Sequence, residues 1–271
     1  MTSSTPAIAL SIAGSEATGG AGAQADLKTF EELGTFGIIA LTCIVSFDPK
    51  NDWGHRFVPV APQVIADQLE ATQTAYAGSL DTVKLGMMGT PDTIATVAAA
   101  LSNQEWKNVV LDPVLICKGQ EPGAALDTDQ ALQAQLLPKA TFVTPNHFEA
   151  EVLSGIEIKT VEDLKEAARI IHEKSGAAVL AKGGVRLEGP DAVDVFFDGE
   201  TLEVLATPKV GEVAVSGAGC SLAAAVTAEL AKGVAPLEAA RNAKAFVTEA
   251  IKHRVGSAAP FDAVYQGGAR A

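Results

Sequence analysis

A chain of 271 residues, 48% of them hydrophobic, is long enough to bury a substantial core, as one large α/β domain or two small ones. Its 33 acidic residues against 20 basic ones leave a formal charge of -13, which argues against nucleic acid or an anionic membrane as a main partner. Cys43, Cys117 and Cys220 fall in no close-spaced pattern, no basic stretch precedes the first apolar run, and no apolar run reaches the ~18 residues of a membrane span, so the chain shows no sign of a disulfide scaffold, a Cys-pair zinc site or a signal peptide, and a cytoplasmic location is expected.

Residues 7–13 form a short apolar run ending at Gly14 and read as a buried strand. A glycine loop, Ser15 to Gly22, follows, and residues 23–33 suit a helix closed by Gly34. Gly20 to Ala25 matches the loose pattern GxGxxA, but Gly20 stands well past the strand end, so this is no dinucleotide fingerprint; no Lys-Ser/Thr pair makes a P-loop either. A second strand over 37–45 runs into a polar and aromatic loop, Ser46 to Arg56, which contains Phe47, Trp53 and His55. Residues 61–77 suit a helix, 81–89 a strand and turn, and 90–101 a helix capped by Thr90 with Pro91 at its first position. Buried strands are predicted over 108–116 and 141–146, a helix over 164–174, and a strand and turn over 177–184. Asp198-Gly199, between alternating apolar runs, is a hairpin signal that places residues 191–205 at a sheet edge or as a flap beside a nucleotide site. The Gly/Ala-rich tail from Ser257 is expected to be loosely ordered. The whole chain, 1–271, thus reads as a single doubly wound α/β domain, a mainly parallel sheet flanked by helices, with ligands at the carboxyl ends of the strands.

The stretch Val215 to Ser221, followed at once by a helical run, is the chemical centre of this reading. Two glycines, Gly217 and Gly219, let the backbone turn with its N–H groups inward, and the helix start adds unpaired donors and a positive dipole end. At the rim of that anion site stands Cys220, whose thiol pKa the dipole is expected to lower, making a base or nucleophile. The alternative is a tight turn with a small buried cysteine.

The first glycine loop, Asp112-Pro113-Val114, Thr144 to Glu149, Lys182-Gly183-Gly184, Gly217-Ala218-Gly219-Cys220 and Asn242-Ala243-Lys244 together resemble the ribokinase-fold vitamin kinases. Within them the chain resembles the hydroxymethylpyrimidine kinase branch, and most closely its pyridoxal kinase offshoot with two functional cysteines, from about Ile8 to Lys252. The resemblance implies transfer of phosphoryl from ATP, with Mg²⁺, to a hydroxymethyl group on a small heteroaromatic ring, and a homodimer. It makes Cys220 the base and the Gly217, Ala218, Gly219 backbone the hole for the γ-phosphoryl. Asp112 and Glu149 would hold the metal, and Asn146, Glu149, Lys182, Gly183, Gly184, Asp194 and Lys244 would serve the nucleotide. Gly14, Asp26, Phe47, His55, Met87, Val114 and Cys117 would line the substrate site. Taken alone, Glu149 also suits a solvated helix start, Lys182 a strand end facing solvent and His55 an exposed loop.

The departures bear on the substrate. Pyrimidine kinases of this branch usually carry Gln where Phe47 aligns, and Phe47 cannot pair with an aminopyrimidine edge; it can stack on a ring or simply cover the sheet end. Glu16 replaces the usual Asp of the first loop, and Ser216 stands where a His is frequent. Cys117 opens a Gly/Pro-rich loop, Lys118 to Gly123, that suits a lid, and in the two-cysteine pyridoxal kinases the matching cysteine adds to the pyridoxal aldehyde. By pattern alone Cys117 also suits a small core residue, as Cys43 does within its apolar strand. The implied activity is therefore pyridoxal phosphorylation with some use of hydroxymethylpyrimidine. The alternatives are a dedicated hydroxymethylpyrimidine/phosphomethylpyrimidine kinase of thiamine synthesis, a sugar or nucleoside kinase, which Cys220 in place of Asp disfavours, and a ligand-binding regulator, which the filled catalytic positions disfavour.

Overall fold

The computed structural model describes residues 5–115 and 122–270. Nine strands form one sheet in the order β3-β2-β1-β4-β5-β6-β7-β8-β9, where β1 is Ile8–Glu16, β2 Phe36–Asp48, β3 Gly54–Pro59, β4 Thr82–Leu85, β5 Asn108–Leu111, β6 Phe142–Val143, β7 Ala178–Lys182, β8 Asp191–Phe197 and β9 Leu202–Pro208. The pairs from β2 through β1, β4, β5 and β6 to β7 are parallel; β3 at one edge and β8–β9 at the other are antiparallel. After β1 the chain goes to β2 on one side and then returns to β4 on the other, so the topological switch point lies at the carboxyl end of β1, beside Gly14 and Gly86.

The helices are α1 (Gly22–Glu32), α2 (Pro62–Ala75), α3 (Pro91–Leu101), α4 (Pro122–Gln135), α5 (His147–Ser154), α6 (Val161–Ser175), α7 (Ala218–Ala231) and α8 (Pro236–Lys252). They cover both faces of the sheet, because parallel strands such as β1 and β4 are apolar on both sides and must be buried on both. One core joins β1, β4 and β5 to α2, α3, α4 and α6 through residues such as Leu10, Leu85, Ile94 and Ile171. A second lies under α7 and α8 and contains Phe142, Leu180, Phe196 and Val226. Local chemistry sets several boundaries: Thr90 caps α3 by accepting from the Thr93 N–H with Pro91 next, and Gly155 and Gly176 end α5 and α6 in the left-handed conformation. Among the described residues no helix is long and apolar enough to cross a membrane.

Four expectations are corrected. The segment 46–56 is not a loop: β2 continues to Asp48 and pairs with β3, the reversal being made by Asp52 and Trp53 at positive φ. Pro122 and Gly123, read as the end of a lid, begin α4, which the reading by pattern missed. The predicted strands over 108–116 and 141–146 shrink to β5 and β6, since Pro113 and Pro145 end the ladders soon after. The tail is packed: Ser216 and Val255 both bridge Ala263, Val264 is buried, and Gln266 donates to the Ser221 hydroxyl at 2.9 Å. The Asp198-Gly199 hairpin does lie at the sheet edge, with the Asp198 carboxylate accepting from the Glu200 and Thr201 N–H groups.

Candidate active site

Gly217 is the N-cap of α7 with φ 80, and a Cβ there would overlap the carbonyl oxygen of Gly20. The glycine loop after β1 therefore lies directly against the start of α7, and only glycine allows the approach. Glu16 closes that loop: its carboxylate accepts from the Thr18 N–H and hydroxyl and from the Gly20 and Ala21 N–H groups. No side chain caps α7. Ala218 donates to the Val215 carbonyl and Ser221 to that of Gly217, which leaves the Gly219 and Cys220 N–H groups as the donors for an anion. Lys182, at the end of β7, brings its Nζ to 3.5 Å from where a Gly219 Cβ would stand, and the same nitrogen lies 3.5 Å from Asp112 Oδ1. Lys182 is buried at the junction of the turn and the acidic groups, not a strand end facing solvent.

The expected low pKa of Cys220 is not found. Burial pushes the thiol up to about 11. Lys84 and the Gly22 N–H pull it down while Asp112 and Asp26 add to the rise. Cys43 is core as expected, its thiol also raised to about 11 by burial.

On the other side of Lys182 stand Asp112 and Glu149. Asn146 caps α5, accepting from the Glu149 N–H at 3.1 Å, while Glu149 accepts from the Asn146 N–H at 2.7 Å. That capping box turns the Glu149 carboxyl inward, 6% exposed as a residue, in place of a solvated helix start. Burial, against the pull of Lys182 and the Asn146 N–H and with Asp112 and Asp129 adding to the rise, pushes its pKa up to about 8. Asp129, on α4, has a buried Oδ1 without a hydrogen-bond partner and a pKa raised to about 6 by burial. It lies two turns into α4, whose apolar residues keep no regular helical spacing, so the sequence gives little sign of it. Three carboxyl groups that repel one another, one of them with an orphaned oxygen, fit a hard divalent cation such as Mg²⁺. Among the described residues no group of three or more His, Cys, Asp or Glu side chains forms a cage.

Asp194 and Lys244 come together, but with each other: Lys244 Nζ is 2.7 Å from Asp194 Oδ2 and 2.9 Å from the Ala192 carbonyl, both side chains buried. This pair braces β8 against α8. Gly183 follows Lys182 where a Cβ would stand 2.5 Å from the Val193 carbonyl, and Gly184 turns away at φ 56.

At the switch point, a Cβ on Gly14 would lie 2.5 Å from Cys43 Sγ and 3.7 Å from Met87 Sδ, which puts Gly14 and Met87 side by side. Asp26, expected at the substrate, is wholly buried; its Oδ2 takes Lys84 Nζ at 2.9 Å and the Ser11 hydroxyl at 2.6 Å, while Oδ1 has no partner. Val114 is half-buried just beyond Asp112. Phe47 faces His55 across β2–β3 with ring centres 4.7 Å apart, and Phe261 from the tail packs on Phe47 at 4.9 Å and near Trp53 at 6.4 Å. Phe261 is a member of this aromatic wall that the reading of a loose tail concealed. Cys117 lies outside the described residues.

A switch-point crevice built this way, with an uncapped glycine turn, a lysine and buried carboxyls at one side and an aromatic hairpin at the other, defines a small-molecule kinase of the ribokinase-like class. The family model for phosphomethylpyrimidine kinase matches residues 16–261, and the chain belongs to that family. It is 49% identical to the pyridoxine kinase of Bacillus subtilis over 245 residues, 90% of each chain, and 36% identical to the hydroxymethylpyrimidine/phosphomethylpyrimidine kinase of the same organism over 252 residues, 92% of this chain and 90% of the relative. The pyridoxal kinase of Staphylococcus aureus, solved in complex with AMP-PCP and pyridoxal, superposes with a TM-score of 0.89 at 39% identity, covering 98% of this chain and 95% of that one.

Proposed function

We propose that this protein transfers the γ-phosphoryl group of ATP to the hydroxymethyl group of pyridoxal, with pyridoxine and hydroxymethylpyrimidine as lesser acceptors. The observation that carries the choice of ring is Phe47, which stands where a pyrimidine kinase needs an amide and is held in a wall with His55 and Phe261. The higher identity to a pyridoxine kinase than to a pyrimidine kinase from one organism supports it.

Cys220 takes the hydroxyl proton as the oxygen attacks, and the Gly219 and Cys220 N–H groups with Lys182 hold the charge that develops on the transferred group. Asp112 and Glu149, seated by Asn146, would hold Mg²⁺, which neutralises phosphate charge when bound. Because burial pushes the thiol up to about 11, its work as a base depends on the cationic and N–H groups around it. The exposed apolar residues Phe36, Ile44 and Val58 on β2 and β3 support a homodimer.

The role of Cys117 rests on the family resemblance. Its thiol would add across the pyridoxal aldehyde, sulfur to carbon and proton to oxygen, and so anchor one vitamer and not pyridoxine, which has no aldehyde. Cys117→Ala is expected to lower kcat/KM for pyridoxal by about tenfold or more while pyridoxine changes little, since orientation is lost for one substrate only. An equal loss on both substrates, or no loss on either, removes the aldehyde from the mechanism.

A further inference from the structure

Lys84 has no place in the chemistry described so far, and it is among the largest side chains that the fold buries completely. A lysine without exposure is rare unless paired, and its partner is specific: Asp26 Oδ2, which the Ser11 hydroxyl also holds. The location is specific too. Nζ ends 3.2 Å from where a Cβ of Gly86 would stand, and Ala13 lies 3.1 Å from the same point, so the ammonium reaches the carboxyl ends of β1 and β4 at the switch point. Gly22 and Asp26 are one turn apart on one face of α1. That face gives the Gly22 N–H to the Cys220 sulfur and the Asp26 carboxylate to Lys84.

We infer that Lys84 is a positioning residue of the phosphoryl transfer, its ammonium fixed by Asp26 and Ser11 behind the α7 turn so that a positive charge faces the sulfur of Cys220. Four elements supply its polar surroundings: Ser11 from β1, Asp26 from α1, Asp112 after β5 and Cys220 from α7. Burial alone would strip the charge from Lys84, but Asp26, Cys220 and Asp112 outweigh it and hold the ammonium above its ordinary pKa. Burial likewise raises the Asp26 carboxyl against the pull of Lys84 and Ser11; the pair is ionic because two donors converge on the one oxygen. In the low-dielectric interior such a charge opposes the burial that raises the thiol, and so lowers the cost of forming the thiolate. The thiol proton goes to solvent before turnover, and the thiolate then accepts the proton of the substrate hydroxyl. Asp26 thereby acts through Lys84, which accounts for its complete burial in a position expected to touch substrate.

The inference rests on Cys220 as the base, and its test reads the sulfur without the kinase reaction. Lys84→Met and the double variant Asp26→Asn with Lys84→Met are compared with wild type; the double variant removes both charges, so no unpaired carboxylate destabilises the fold. Iodoacetamide alkylation of Cys220 is followed against pH by peptide mass analysis, beside kcat and KM for ATP. The expected result is a Cys220 alkylation midpoint moved up by about one pH unit or more in both variants, a kcat lower by about tenfold or more, and a KM for ATP within about twofold. An unmoved alkylation profile in the folded double variant overturns the inference, as does an unchanged kcat. A chain that folds in neither form places Lys84 in the fold and not in the reaction, and overturns it as well.

Discussion

Cys220→Ala is expected to lower kcat by about 10²–10⁴-fold, the usual size of a general-base contribution, with ATP affinity little changed. Two features set that size. Alanine keeps the backbone N–H groups of the turn, so the hole for the transferred group survives and only proton removal is lost. The residue is half-buried within the glycine turn, so the methyl group fits without disturbing Gly217 or Lys182. Cys220→Asp, the residue of many wider relatives, should recover part of the rate if proton acceptance is what was lost. Near-normal turnover in Cys220→Ala would take the thiol out of the mechanism.

Gly217→Ala should be worse for both fold and rate. Its φ of 80 places an alanine in the left-handed region at a cost of about 1–2 kcal/mol, and its Cβ would overlap the Gly20 carbonyl oxygen. The glycine loop and the start of α7 must then separate, which moves the Gly219 and Cys220 N–H groups away from the phosphoryl position. Loss of aligned donors of this kind costs about 10²–10³-fold in kcat. Gly176→Ala is the control: it has φ 71 at the end of α6 with nothing within 4 Å of the added carbon. It should lose stability by a similar backbone term and keep full turnover. If the two variants lose stability and rate alike, the contact between Gly217 and Gly20 is not what aligns the turn.

Much of this was legible where a short stretch decides its own structure. Thr90-Pro91 announces the start of α3, Asp198-Gly199 the edge hairpin, and Gly217 with Gly219 the anion turn, because caps and left-handed turns need particular residues at particular places. What was not legible depends on distant partners. The β2–β3 hairpin hides behind a polar tip, since the positive φ of Asp52 and Trp53 is paid for by ladder bonds that local pattern does not reveal. The tail looks featureless until Ala263 meets Ser216 and Phe261 meets Phe47. The acidity of Cys220 is hidden for the same reason: a helix end is visible in sequence, whereas the burial that raises the thiol is not. Lys84 passes for part of an ordinary strand in the sequence, because its partner Asp26 lies far away in sequence on another element.

The central claim, a kinase whose preferred acceptor is pyridoxal, is tested most directly by kcat/KM of the wild-type protein with ATP and Mg²⁺ across pyridoxal, pyridoxine, hydroxymethylpyrimidine and ribose. The account predicts the highest value for pyridoxal, lower values for pyridoxine and the pyrimidine, and no turnover of ribose. Turnover of hydroxymethylpyrimidine above that of both vitamers, or of ribose at all, would contradict it.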